Sequence, residues 1–532
     1  MKTRLTALVL LLTLLSLLLL SCAPEPPTPC THADTDADLV CDDCGEALPP
    51  KECTVHSDAD GDLLCDDCGE ALPPKECTSH TDADGDLLCD DCGASADEAV
   101  AGWLLTDVPT YRGGTPSKAL YLAGQGLDTA QLVENENLLQ TVSNTTATEF
   151  EAYLYKLQRA GYQKEFYRAA DTNLFASYIK GDVRVYAYFI SRRGEARIVR
   201  ENAKHSASLA NFEYRYERAA GERSVLYQFA LAMNDETHPK PDFKDNGMMY
   251  LLKLADNSIV IIDGANSVQM TDARRDELMQ MLWDITGKQN GDTVRVAAWY
   301  VTHAHGDHYA GFQRFTWKYA KYLDLERALF AFPSLHSPDE DLSTGSGADG
   351  YRGIIDLISK SYADDEPQFL RLHTGQTFRL ADVTFEVLQT HEDLADPVTG
   401  ESRISSYNDA SSILRLTVEG ESALFLGDAQ EKVAMPRLLG NWSGEHLRSD
   451  AVQLSHHVMN DLTPLYDVVR ASVLFVPQAQ YGIDVSAKRA AIFAAAKAHA
   501  RADMIFLQNE QTVGIAVQSG RWEKVYSIPF AY

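Results

Sequence analysis

The stretch Thr302-His303-Ala304-His305-Gly306-Asp307-His308-Tyr309-Ala310-Gly311 places three histidines and one aspartate within six positions. It follows directly on an apolar, strand-like run from Val294 to Val301. Imidazole nitrogens suit zinc, and a carboxylate can hold a second metal close by. His303 and His305 alternate, so on an extended backbone they face one metal together. Asp307 and His308 continue into a turn or a helix start and can reach a second. A lone histidine is more often a satisfied core residue than a ligand. Four ligand-type residues packed at the end of a buried strand are where a rigid scaffold carries its chemistry.

Two later segments have the same form. Ala423-Leu424-Phe425-Leu426-Gly427-Asp428 is an apolar strand closed by glycine and aspartate, and Val452-Gln453-Leu454-Ser455-His456-His457 is another closed by two histidines. Either alone reads as a strand and its turn. Three strand ends with metal-type ligands fit better as one site. Ile259-Val260-Ile261-Ile262-Asp263 adds a fourth polar strand end. Further strand candidates run over 225–233, 248–254, 383–388, 413–418, 473–477 and 505–508, with helical patterns at 271–286 and 486–500. Many strands with interspersed helices predict an α/β fold of two packed sheets flanked by helices.

The set resembles the metallo-β-lactamase fold superfamily over about residues 222 to 532, with His-x-His-x-Asp-His matched in full at His303 to His308. The resemblance implies an αββα sandwich and a pair of divalent metal ions. By resemblance His303 and His305 bind the first metal, Asp307 and His308 the second, and Asp428 bridges them. His457 is the expected ligand of the closing motif, with His456 facing substrate. Asp263 matches an acidic residue that supports the histidines rather than binding metal. Zinc is the expected metal, with manganese as the alternative because oxygen and amide ligands suit it.

The family has a further first-metal histidine between the opening motif and the bridging aspartate, and two places here compete for it. One is His391, after the strand 383–388. The other is Asn408, in Ser406-Tyr407-Asn408-Asp409-Ala410-Ser411-Ser412, which resembles an Asn-rich segment of the competence-protein branch. His336 and His373 read as surface residues. A metal pair would lower the pKa of a bound water toward neutrality, and the hydroxide would attack carbon or phosphorus. Asp307 and His456 are the catalytic candidates, the latter as proton donor or oxyanion partner. The competence-protein and surface phosphodiesterase branches favour a phosphate ester, in nucleic acid or a phosphorylated cell-wall component. Lactone, thioester or β-lactam hydrolysis stays open, as does a noncatalytic surface-binding protein with a structural or vestigial metal centre.

The 532 residues carry 47 Lys+Arg against 77 Asp+Glu, a net charge of −30 that argues against a whole-surface grip on nucleic acid. Lys2 and Arg4 precede an apolar run from Leu5 to Leu20, and Leu19-Leu20-Ser21-Cys22 resembles a lipobox. Residues 1–22 are therefore expected to be a lipoprotein signal peptide, giving an exported protein held on the outer face of the cell membrane by a lipid on Cys22. All ten cysteines lie between Cys22 and Cys92. Residues 30–97 form three Cys/His/Asp-rich units of period 24, exemplified by Cys53, His56, Cys65 and Cys68. Four such ligands fit structural zinc. The alternating Asp58, Asp60 and Asp62 fit calcium, with or without disulfides, and a flexible acidic stalk is the third reading. Residues 100–205 are expected to form a small α/β domain. Thr146 and Glu149 make a capping box ahead of Phe150, Tyr153, Leu154 and Leu157 on one helical face, and a hairpin turns at Gly181.

Overall fold

Apolar runs too continuous for half-buried strands, such as Ile259–Asp263, are buried on both faces of the sheet they enter. The computed structural model describes residues 101–122, 137–204, 206–207, 222–233, 247–335, 345–404 and 406–530. The signal segment with Cys22, the repeats at 30–97 and His336 lie outside the described residues. Among the described residues no helix is long and apolar enough to cross a membrane.

Two sheets pack face to face. The first runs in the order Gln368–Arg371, Arg327–Phe330, Val294–Tyr300, Ile259–Asp263, Met249–Lys253, Val225–Gln228, Gln511–Gln518, Arg521–Pro529, with Leu323–Leu325 also beside Val294–Tyr300. Its central pair, Ile259–Asp263 and Val294–Tyr300, is parallel, so both strands end on the same side. The second sheet runs Thr377–Leu380, Val383–Gln389, Ile413–Val418, Glu421–Phe425, Ala451–Gln453, Val473–Val476, Ile505–Leu507. Between them Tyr250 sets its ring edge-on to Phe425 at 5.1 Å and to Phe475 at 5.6 Å. Asp272–Thr286, Gly306–Tyr319 and Ser346–Ser361 cover the outer face of the first sheet. Ala434–Asn441, Thr463–Val469 and Ala487–Lys497 lie over the second. The architecture is an αββα sandwich.

Among its described residues, the preceding segment is an antiparallel sheet with the helix Ala147–Arg159, whose capping box is formed as the sequence predicts. Phe150, Tyr153, Leu154 and Leu157 are buried against one face of that sheet. The opposite face, with Phe175, Tyr186 and Tyr188, shares a core with Leu388, Trp442 and Leu454 of the sandwich. Phe175 stacks on Trp442 at 5.6 Å, and the indole Nε1 donates to Leu388 O at 2.8 Å.

Several elements escape the sequence pattern for physical reasons. Arg327–Phe330 and Gln368–Arg371 are too short to display an alternation, and Arg521–Pro529 is a largely exposed edge strand. Ser346–Ser361 carries Gly347, Gly350 and Gly353, poor helix formers that hide it.

His373 corrects the expectation of a surface residue. It is buried, stacked on Tyr186 at 4.4 Å, with Nδ1 2.8 Å from Glu392 Oε1 and Nε2 3.0 Å from Glu201 Oε1. Glu201 comes from the small sheet and the other two from the sandwich, so the triad ties them together. Burial opposes the imidazolium, but Glu392 and Glu201 outweigh it, and its pKa is pushed up to about 9. A folded-state value above the ordinary 6.5 means this stabilisation is complete below that pH and is lost as pH rises through about 9. Denaturant unfolding followed across this window should show stability falling with pH in the natural protein. His373→Gln should flatten that fall, and an unchanged slope in the variant would assign it to other groups.

Candidate metal centre

Four strand ends open onto one side of the sandwich. The chain leaves Val294–Tyr300 and enters the helix Gly306–Tyr319 straight after His305, putting Asp307 in its first turn, where a carboxylate suits the helix N-terminus. The turn after Glu421–Phe425 delivers Asp428, whose backbone N–H donates to Ser411 Oγ at 3.0 Å. Beyond Ala451–Gln453 the chain turns through three successive left-handed residues, His456 (φ 48°), His457 (φ 51°) and Val458 (φ 62°). This conformation costs L-residues about 1–2 kcal/mol each and is rarer still for a β-branched valine. The His456 N–H donates to Gly427 O at 3.1 Å, pinning the turn to the segment that carries Asp428.

One ligand atom from each of Asp307, His308, Asp428 and His457 lies within 4.8 Å of the others. His308 Nε2 is 3.3 Å from Asp428 Oδ1, and His457 Nε2 is 3.3 Å from Asp307 Oδ2. His308 Nε2, His457 Nε2 and Asp428 Oδ1 are all buried and none makes a well-formed hydrogen bond. Polar atoms left without partners in a protein interior are costly, and several converging on one point fit a cation. The far side of each ring is tied. His308 Nδ1 is 2.8 Å from Asp263 Oδ2, and His457 Nδ1 is 3.2 Å from Pro477 O. An acceptor at Nδ1 fixes the proton there and leaves Nε2 free to ligate. Burial works against the charge of Asp428, but His308, His456 and His457 hold its carboxylate well below the usual range. Burial, with His308 beside it, pushes His303 well below its ordinary value, so its imidazole is neutral. This donor set fits a divalent metal.

His303 Nε2 lies 3.1 Å from His305 Nδ1 and 3.8 Å from Asp428 Oδ2, the oxygen that His457 Nε2 also approaches at 3.8 Å. His456 Nε2 approaches the same Asp428 Oδ2 at 3.6 Å, and Asn408 Nδ2 stands 3.2 Å from His456 Nε2. Asn408 is therefore brought to the edge of the cluster. His391 is not: it sits in the 3-10 turn His391–Leu394, and its charged neighbours are Arg371 and His373. The turn's capping box, with Thr390 N donating to Asp393 Oδ2 at 3.3 Å, fixes the backbone there, and both His391 ring nitrogens are buried without a hydrogen-bond partner. His391 is not in the group formed by Asp307, His308, Asp428 and His457.

Sequence reasoning missed residues that orient the ligands. Thr302 Oγ1 bonds Asp263 at 3.0 Å and lies 3.2 Å from His303 Nδ1; its position directly before His303 was the available signal. The Pro477 carbonyl gave none. The helix Ser346–Ser361 presses on the ligand loop so closely that a Cβ on Gly350 would lie 1.8 Å from Ala304 O.

Asp263→Asn places an amide donor against the His308 ring, and metal affinity measured against a competing chelator should fall about 10- to 100-fold with circular dichroism unchanged. Equal affinity would mean that Asp263 does not orient His308. Gly350→Ala should cost about 1–3 kcal/mol in denaturant unfolding. No loss would show that the helix yields without disturbing Ala304.

No family model matches the chain, and no curated protein matches it. Solved structures do. The metallo-beta-lactamase fold protein YhfI from Bacillus subtilis is 12% identical, covering 57% of this chain and 99% of its own, with a TM-score of 0.32. Zn(2+)-bound PqqB from Methylobacterium extorquens is 10% identical over 53% of this chain and 97% of its own, with a TM-score of 0.30. The short form of human tRNase Z is 13% identical over 48% of this chain and 92% of its own, with a TM-score of 0.26. The αββα fold and the metal-type donor cluster rest on this chain's own strand order, layering and side-chain geometry.

Proposed function

We propose that the chain is a metal-dependent hydrolase acting on a phosphate ester or phosphodiester, exported and held at the outer face of the membrane by a lipid on Cys22. The convergence of Asp307, His308, Asp428 and His457 carries the reading of a metallohydrolase. Two divalent cations, when bound, supply Lewis-acid activation of water and neutralise charge developing on the substrate oxygens. His303 and His305 would hold one with Asp428; Asp307, His308 and His457 would hold the other. Asp428 could serve both, since its carboxylate lies among His308, His303 and His457.

His456 stands apart from the buried ligands. Its side chain is 20% exposed and reaches Asp428 from the side where Asn408 stands. There it can donate a proton to a leaving group or a hydrogen bond to an oxyanion, with Asn408 steadying the ring. The Asn408-Asp409-x-Ser411 and His456-His457 segments support a phosphate ester through their resemblance to the competence-protein and surface phosphodiesterase branches. The imidazole-rich donor set favours zinc, and the amide of Asn408 keeps manganese as the alternative. Lys2, Arg4 and the apolar run ending at Cys22 support export and the lipid tether.

Metal-loaded full-length protein should hydrolyse a model phosphodiester in preference to lactone and β-lactam substrates. Asp307→Ala should lose about 100-fold or more of that activity while keeping its circular dichroism spectrum. Retained activity in the variant would remove Asp307 from the mechanism. Turnover of lactone or β-lactam alone would reassign the substrate, and no turnover on any of them would favour the noncatalytic surface-binding protein.

A further inference from the structure

A cavity of about 190 Å³ opens where three segments meet: the turn Ser191–Arg193 of the small sheet, the loop that follows His391–Leu394, and the helix Ala434–Asn441. Its charged lining is Arg193, Arg403, Lys432 and Arg437 against one carboxylate, Asp393. The partners of these cations do not neutralise them. Glu195 alone answers three guanidinium groups: Arg193 Nε at 3.1 Å, Arg197 Nη1 at 3.2 Å and Arg437 Nη2 at 2.7 Å. Arg403 pairs with Asp396, and Lys432 has no carboxylate partner among the described residues. Asp393 is engaged elsewhere, accepting from Asn441 Nδ2 at 3.0 Å and Tyr188 OH at 3.3 Å. Four lining cations, with Arg197 buried behind them, therefore share the three carboxylates of Glu195, Asp393 and Asp396, a local positive excess in a chain whose net charge is −30. Arg437, only 8% exposed, also keeps a buried Nε with no hydrogen-bond partner.

A buried guanidinium donor without an acceptor, under a mouth of exposed cations, is built for an anion. At about 30 Å³ per water, the space holds roughly six waters, which suits a tetrahedral oxyanion and is small for a bulky ligand. We propose that this cavity binds a small, doubly charged oxyanion of the phosphate class, with Arg437 at its floor and Arg403 and Lys432 at its mouth. Inorganic phosphate and a phosphate group on a small ester offer the same chemistry. The site needs none of the metal ligands, so it stands or falls separately from the hydrolase reading.

Calorimetric titration of the full chain with inorganic phosphate tests it, as purified and after treatment with EDTA, which empties any metal site that could also take phosphate. One EDTA-insensitive site is expected. In Lys432→Glu/Arg403→Gln, which changes only exposed side chains, its affinity should fall about tenfold or more. Lys360→Glu, a charge reversal on the exposed Lys360–Asp356 pair, should leave it unchanged. A parallel titration with glycerol phosphate separates the sources: tighter binding than inorganic phosphate assigns an ester, and weaker binding the free ion. Phosphate binding abolished by EDTA, or equal in the double variant and the natural protein, would overturn the proposal.

Discussion

The carboxylate of Asp263 is the point from which the metal-type site hangs. It ends the central strand of the first sheet in a left-handed conformation, φ 57°, fully inside the protein. One oxygen accepts from the Thr302 backbone N–H at 2.9 Å, and the other lies 2.8 Å from His308 Nδ1. A single buried anion thus fixes where the neighbouring parallel strand ends and which nitrogen of His308 faces Asp428. A buried charge is tolerated only when it is hydrogen-bonded on all sides, so this position admits little rearrangement. Asp428 is placed relative to it through His308, while His457 is held independently by the Pro477 carbonyl.

A second charged network lies between the small sheet and the sandwich. Glu201, His373, Glu392 and Arg371 are buried together, and Arg197 from the small sheet donates to the Glu392 carbonyl at 3.2 Å. Beside it, Phe175 and Trp442 stack in a shared apolar core. The apolar contact supplies the driving force for docking, and the charge network, which tolerates no shift in register, supplies the specificity. At the edge of this junction the arginines outnumber the carboxylates, which leaves the cationic cavity beside Arg437.

Much of the sandwich was legible from periodicity. The run Val294 to Val301 became a strand of Val294–Tyr300, and the helical pattern at 271–286 became Asp272–Thr286, because long apolar stretches leave few other ways to bury their side chains. The short strands Arg327–Phe330 and Gln368–Arg371 were not legible, since four residues carry no period. The glycine-bearing helix Ser346–Ser361 was hidden by its own composition, and its glycines make sense only against Ala304 and Tyr407. His373 was misread because its polarity suggests solvent, whereas Glu201 and Glu392, brought up by other elements, make burial of its charge tolerable.

By itself the sequence determined the chemistry available: the spacing of His303, His305, Asp307 and His308, and strand ends bearing Asp428 and His457. Local pattern suffices there, because ligand type and alternation are properties of a few consecutive residues. Which atoms meet was decided only by the tertiary structure. It set Asn408 beside His456, buried His391 near Arg371 and His373, and gathered Arg193, Arg403, Lys432 and Arg437 around one cavity. Those groupings join residues from separate strands, turns and helices, and packing of whole layers fixes such distances.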